Sequence, residues 1–429
     1  MSALAVESVT AWEALDSRGT PTVACEVALV AGGRGAVVVP SGASTGVYEA
    51  HELRDGGERY AGRGVGRVVQ HIEGELAASV RGLPADEQRV IDDVLRDTDG
   101  TVGMERLGAN AVLAVSLACA VAAANGRREP LYRSVAGAGP PLLPLPMVNI
   151  LSGGAHAGWA IDVQDLLAVP VGAESFAQAL EWVWRVRRAT AEILTEQGFP
   201  AALVADEGGF GPILPSNRAA LEILTRAIER AGLAAGDDVA VAIDVASSQL
   251  LSENGYRLAS ESRTVAADEL IAEVAAWAAS FPVVSVEDPL GEDDWDGWAR
   301  ASKKLGGLQL LGDDLFATDL ERVRRGIGQG VASGVLIKPN QTGTVSSALD
   351  VVEEARCSGY ATVLSARSGD TEDSWLADLA VAWRTGQIKV GSTTRSERTA
   401  KWNRLLRIEA ELGASAEFAG RAALVRRPG

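Results

Sequence analysis

Apolar residues in the second half of the chain come in short continuous runs, each closed by a charged residue and a turn. VAVAID ends at Asp244, VVSVED at Glu287 and Asp288, LQLLGDD at Asp313 and Asp314, and GVLIKPN at Lys338. The runs are rich in Leu and β-branched residues and are spaced by about one helix and two loops. That is the pattern of parallel strands buried on both faces. Upstream, from Met147 on, a strand near 166–170 and a long helix near 173–196 are expected. The first part of the chain has another rhythm. Residues 5–13, 20–30 and 35–40 alternate or run apolar, which predicts a short antiparallel meander, and helical patterns follow at 62–80, 86–97, 108–125 and 128–136. Strands before helices indicate an α+β domain. The Pro-rich GPPLLPLP marks a boundary near Gly139, dividing the chain into 1–138 and 139–429.

Charges at successive strand ends have a specific meaning if the strands close into an α/β barrel, because chemistry is done at the C-terminal mouth. Three carboxylates and one lysine would then face one spot. Hard oxygens from Asp244, Glu287 and Asp313 suit Mg²⁺, and Lys338 beside a metal would have a depressed pKa and could act as a base. Two further stretches, GGAHAG with His156 and DEGGF with Asp206 and Glu207, set polar groups on glycine-flanked turns where a backbone can approach a ligand. The other histidines, His51 and His71, fall in helical patterns and read as solvated. VPSGASTGVYEAHELRDGG, 39–57, reads as a loop.

Composition narrows the function classes. A formal charge of −17, with no basic block interleaved with aromatics, argues against nucleic acid as a partner. An anionic substrate must therefore be held by local cations. The N-terminus lacks a basic start and an apolar core, so no secretory signal is expected, and the most apolar segment, 112–124, reads as a buried helix too short to cross a bilayer. Cys25, Cys119 and Cys357 are odd in number and widely spaced, which predicts reduced core thiols in a cytoplasmic protein.

DSRGTPTV, VPSGASTG, LGANAVLAVSLA, GGAHAG, DEGGF, SVEDPL, Asp313-Asp314, LIKPNQTGT, RTGQIKVG and RSERTAKWN follow one another from residue 16 to about 410. This ordered set resembles the enolase family. The resemblance implies an N-terminal α+β cap on a barrel that begins ββαα and continues with six βα units, two Mg²⁺ ions, a homodimer or higher homo-oligomer, and reversible dehydration of 2-phosphoglycerate to phosphoenolpyruvate. By the same resemblance Asp244, Glu287 and Asp313 hold the first metal, and Ser44 helps to hold the second and contacts the substrate. Lys338 is the base, Lys389 binds the substrate carboxylate, and Arg367 and Ser368 bind its phosphate. Glu207 assists departure of the hydroxyl, with Asp165 and His156 as further catalytic candidates and Gln164 beside the substrate.

The departures gather on the leaving-group side. Ala366 stands where the family has His, and Asp165 where it has Glu. Trp159 replaces Asn or Gly, Pro339 replaces an aliphatic residue, and Gln249 replaces an acid. A general acid must reach its target and is worth ~10² to 10⁴ in rate, so these changes predict weaker expulsion of a hydroxyl and more room. The expected substrate is a small phosphorylated or phosphonate anion related to phosphoenolpyruvate, as in formation of carboxyphosphonoenolpyruvate in phosphonate antibiotic biosynthesis. An ordinary phosphopyruvate hydratase and an inactive enolase-fold scaffold stay open as alternatives. Retention of Lys338 and the three metal carboxylates counts against the scaffold.

Overall fold

The structure, a computed structural model, describes residues 2–42, 46–137 and 139–425. Internal packing divides the chain into two compact units. One comprises the residues up to Pro141 together with Ile337–Glu353 and Ala366–Arg384; the other comprises Leu142–Leu336, Glu354–Ser365 and the residues from Thr385 on.

The first unit opens with an antiparallel meander, β1 (Val6–Leu15), β2 (Pro21–Leu29) and β3 (Arg34–Val38), in that spatial order. The helix Ala109–Arg127 packs against β2 and β3. Close approach depends on Gly35, where a Cβ would lie 2.2 Å from Ala122 N and 2.4 Å from Ala118 O. This 19-residue helix agrees with the pattern expected at 108–125 and, by length and composition, could cross a membrane although the segment 112–124 alone could not; 83% of its most apolar window is buried in the protein. Burial, not length, marks it as a core helix.

Helices also run from Gly66 to Val80, with a π turn at Ile72–Leu76, and over Gln88–Asp99. The pattern at 128–136 yields one turn, Leu131–Ser134. His51 is not helical. Its N–H donates to Gly103 O and its carbonyl accepts from Ala109 N, so the backbone serves a loop contact.

A buried polar hub ties the later segment Ile337–Glu353 into this unit. Asp92 accepts from Gln88 Nε2 (2.9 Å), Ser116 Oγ (2.6 Å) and the backbone N–H of Ser346 (2.8 Å). It thereby supplies an anion at the N-terminus of the helix Val345–Cys357, where unpaired N–H groups favour one. Burial nevertheless pushes its carboxyl above the usual range, against the pull of these donors.

The second unit contains a closed barrel. In chain order its strands are β4 (Leu145–Ser152), β5 (Asp165–Val169), β6 (Ala240–Asp244), β7 (Val283–Glu287), β8 (Gln309–Gly312), β9 (Gly334–Ile337), β10 (Ala361–Ser365) and β11 (Gly386–Gly391). Around the barrel the order is β7-β8-β9-β10-β11-β4-β5-β6. Strand β5 pairs antiparallel with both β4 and β6, whereas β6/β7, β7/β8, β8/β9, β10/β11 and β11/β4 are parallel. Two strands, β4 and β5, are followed by two helices, Phe176–Glu196 and Asn217–Arg230, before βα alternation begins. The ββαα start expected from the resemblance is present. The expected strands are buried end to end.

Cys25 and Cys119 are buried, and burial raises both thiols well above their ordinary value. Cys357 is exposed at the end of its helix, contrary to the reading of three core thiols.

Candidate active site

Because β5 runs antiparallel to its neighbours, its first residue, not its last, lies at the mouth where β6 and β7 end. The register makes this concrete: Asp165 pairs with Asp244, and Asp244 with Glu287. Three successive strands thus present a row of carboxylates, each at most 2% exposed. From across the barrel, Lys389 on β11 sends its Nζ to Asp244 Oδ2 at 2.7 Å and to both Glu287 oxygens at 2.9 and 2.8 Å. Burial works against the ammonium, but Asp244, Glu287, Asp165 and Glu207 outweigh it and hold its pKa well above the ordinary value.

Around this centre the remaining residues form an ordered shell. Gln164 donates to Asp244 Oδ2 (2.9 Å) and accepts from Gln249 Nε2 (2.9 Å), so Gln249 acts on Asp244 through Gln164. Ser152 donates to Asp165 Oδ1 (2.7 Å), and Asn149 donates to Glu207 Oε2 (3.1 Å). His156 Nδ1 stands 3.8 Å from Glu207 Oε1. Burial lowers the imidazole pKa although Glu207 and Asp244 pull the other way. Asp165 is pushed well above the usual carboxylate range by burial and then by Glu207.

A second cluster joins Asp288, Asp313 and Asp314. Asp288 adopts a left-handed backbone (φ 41°), and its carboxylate accepts from the N–H groups of Asp313 (3.1 Å) and Asp314 (2.8 Å). It orders the loop that presents Asp313. Burial and the neighbouring carboxylates raise its pKa well above the usual range.

The structure therefore brings Gln164, Asp165, Asp244, Glu287 and Lys389 together, with His156 and Glu207 beside Asp165. Asp313 groups with Asp288 and Asp314. Lys338, half-buried directly after β9, and Ala366, Arg367 and Ser368, directly after β10, belong to the first unit. There Arg367 Nη1 meets Glu49 Oε2 at 2.7 Å. Ser44 lies outside the described residues. Sequence reasoning passed over Asn149, Ser152 and Glu49; the signal for the first two was a polar residue inside a fully buried strand.

Close packing accounts for two of the glycines in these turns. A Cβ at Gly153 would lie 2.3 Å from Val163 O, and one at Gly209 2.4 Å from Ser152 Oγ. These two glycines admit neighbouring protein, whereas a Cβ at Gly158 of the same stretch would have nothing within 4 Å.

A family model described as Enolase, C-terminal TIM barrel domain matches residues 141–427, and one described as Enolase, N-terminal domain matches 6–135. The chain belongs to the enolase family. Enolases typically use Mg²⁺, and the residues of this family member suit a hard divalent cation. Two groups, His156–Asp165–Glu207 and Asp288–Asp313–Asp314, each bring three ligand atoms close enough together for a metal ion, and their donors are mainly carboxylate oxygens. Asp165 Oδ2, His156 Nδ1 and Asn149 Oδ1 are buried without a hydrogen-bond partner, so the site offers polar atoms that a ligand would satisfy.

Proposed function

We propose that this enolase-family chain is a Mg²⁺-dependent enzyme that forms an enolate from a small phosphorylated or phosphonate carboxylate, on a leaving side altered from that of glycolytic enolase. The observation that carries the reading is the Asp165–Asp244–Glu287 row with Lys389 between its members. So costly a cluster of buried charge at a barrel mouth is expected of a site that handles anions and developing charge.

In this reading Lys338 removes the proton next to the substrate carboxylate. Asp244, Glu287 and Asp313 would hold one Mg²⁺ and Ser44 would help to hold a second, and the bound ions would supply positive charge for the developing enolate. Lys389 orients the carboxylate, while Arg367 and Ser368 hold the phosphorus group. In the same reading Asp165, whose carboxyl is raised by burial and whose Oδ1 accepts from Ser152, assists on the leaving side. Glu207, oriented by Asn149, and the neutral His156 complete that side. Ala366 stands where the family has His, so this chain lacks that imidazole, which supports a substrate bulkier than 2-phosphoglycerate; carboxyphosphonoenolpyruvate formation is the member of this class that would use the room. A homodimer acting on a small anion in the cytoplasm, away from nucleic acid and membranes, fits the same reading.

The test is deuterium exchange at the α-carbon of bound 2-phosphoglycerate, run beside an absorbance assay for phosphoenolpyruvate and a mass-spectrometric screen of phosphonate and nucleotide-activated donors. Exchange that stops in Lys338→Ala, with slow net dehydration, is the expected result. Rapid dehydration would make the chain an ordinary hydratase. Mg²⁺ binding with no exchange and no turnover on any donor would leave a scaffold.

A further inference from the structure

The first unit pairs Arg367 with a residue that no part of the proposed reaction uses. Glu49 lies 318 positions away in sequence, yet its carboxylate receives Arg367 Nη1 at 2.7 Å on Oε2 and Nη2 at 3.4 Å on Oε1. The two side chains are only 5% and 7% exposed. Gly46 N–H donates to Glu49 Oε1 at 2.9 Å, and Asn340 Oδ1 accepts from Arg367 Nη1 at 3.4 Å. Just beyond Glu49, Ala50 N–H donates to Gln341 O at 2.9 Å, which tethers the segment near its anchor point.

A buried guanidinium must keep an anionic partner, since leaving it uncompensated is strongly unfavourable. Its planar fork accepts carboxylate and phosphate with the same two-pronged geometry. Glu49 therefore presents to Arg367 the chemistry that a phosphoryl group would present. Resting on the assignment of Arg367 to the anion subsite, we infer that Glu49 is a tethered competitor for that subsite: an incoming phosphoryl or phosphonate dianion takes Arg367 from it, and the displaced carboxylate moves off with residues 46–49 about the anchor at Ala50.

This arrangement works as a filter on ligand charge. A tethered carboxylate acts at an effective concentration of order millimolar or more, and a free monoanion offers Arg367 nothing that Glu49 does not already give. A dianion gains more from the guanidinium and repels Glu49 as it arrives. Small carboxylates are therefore turned away while phosphorus dianions enter.

The experiment measures binding of inorganic phosphate and of acetate by calorimetry, on the full chain with Mg²⁺ present, for the wild type, Glu49→Gln and Arg367→Ala, with thermal unfolding to check each fold. In Glu49→Gln the phosphate Kd is expected to fall about tenfold and acetate binding to become measurable, because the competing charge is gone. Arg367→Ala should lose phosphate binding. Should Glu49→Gln not fold, Glu49→Asp keeps the charge but retracts it by one methylene, and an intermediate gain is expected. Phosphate binding in the Glu49 variants that is unchanged or weaker would show that Glu49 steadies Arg367 instead of competing for it, and would overturn the inference. Phosphate binding that survives Arg367→Ala would instead overturn the placement of the subsite itself. Absence of binding in wild type and Glu49→Gln alike would count against both.

Discussion

Replacing Lys389 with Met removes one charge and keeps most of the volume, and so isolates what the ammonium does for the barrel mouth. Its Nζ is the shared partner of Asp244 and Glu287, whose side chains are each 2% exposed. Breaking a buried pair by deleting one member costs about 3–5 kcal/mol, because the survivor is left as an unpaired buried charge. For a large unit a kilocalorie corresponds to about 2 °C in Tm, so the variant in EDTA should melt roughly 6–10 °C below the wild type. The sign with pH follows from the raised pKa of Lys389. Its stabilisation is complete below the ordinary lysine pKa and is lost only as pH rises through the higher value in the fold, so the whole deficit should be present at pH 7. A metal that takes over the two carboxylates should restore much of it. At 100 times Kd, ligand binding adds about 2.7 kcal/mol, and the Mg²⁺-induced rise in Tm should be larger for the variant than for the wild type. The assay is differential scanning calorimetry with EDTA or Mg²⁺. A variant that melts within 1 °C (about 0.5 kcal/mol) of the wild type in EDTA would refute the reasoning, since the carboxylates would then not depend on Lys389.

Asp313→Asn should weaken Mg²⁺ binding by at least about tenfold, or 1.4 kcal/mol, read by calorimetry; unchanged affinity would remove Asp313 from the ligand set. Asp92→Ala takes the acceptor from the Ser116 hydroxyl and the Ser346 N–H at about 1–3 kcal/mol each, whereas Gln88 Nε2 keeps Ser116 O at 3.1 Å, so urea unfolding should report a loss of about 2 kcal/mol or more, and a loss under about 1 kcal/mol would deny the hub its role. Ala366→His combined with Asp165→Glu should lower the native activity at least about tenfold by filling the leaving side, with partial gain of 2-phosphoglycerate dehydration; a double variant that keeps its native rate would show that the missing imidazole is not what changed the substrate.

What could be read from the sequence was whatever local periodicity encodes. The runs ending at Asp244, Glu287 and Asp313 are strands, or follow one directly, because continuous apolar stretches of that length have few other solutions, and the β1–β3 meander followed from alternation. Less accessible was anything set by pairing at long range. That β5 runs against its neighbours, and so brings Asp165 rather than Val169 to the mouth, is a property of the closed sheet. The pairing of Arg367 with Glu49 left no trace in spacing. Asp288 was visible as a charge, but its hold on the Asp313 and Asp314 amides depends on a left-handed backbone that periodicity does not report. His51 and Cys357 failed for a simpler reason: a polar residue inside a helical pattern, or a thiol among apolar neighbours, does not itself say which way the chain turns.

The Asp92 hub bears on how the chain is made. Its donors Gln88 and Ser116 leave the ribosome with Asp92, whereas Ser346 is translated some 230 residues after Ser116. At ~5–20 residues per second that interval is on the order of 10–50 s. Throughout it, the nascent first unit carries a carboxylate whose last partner does not yet exist. Until then Asp92 has only Gln88 and Ser116 as side-chain donors, and the third hydrogen bond of the hub waits for the Ser346 N–H. Completion of the N-terminal unit is thus tied to synthesis of the segment that also carries Lys338, so the cap reaches its final packing only when that lysine is already in the chain.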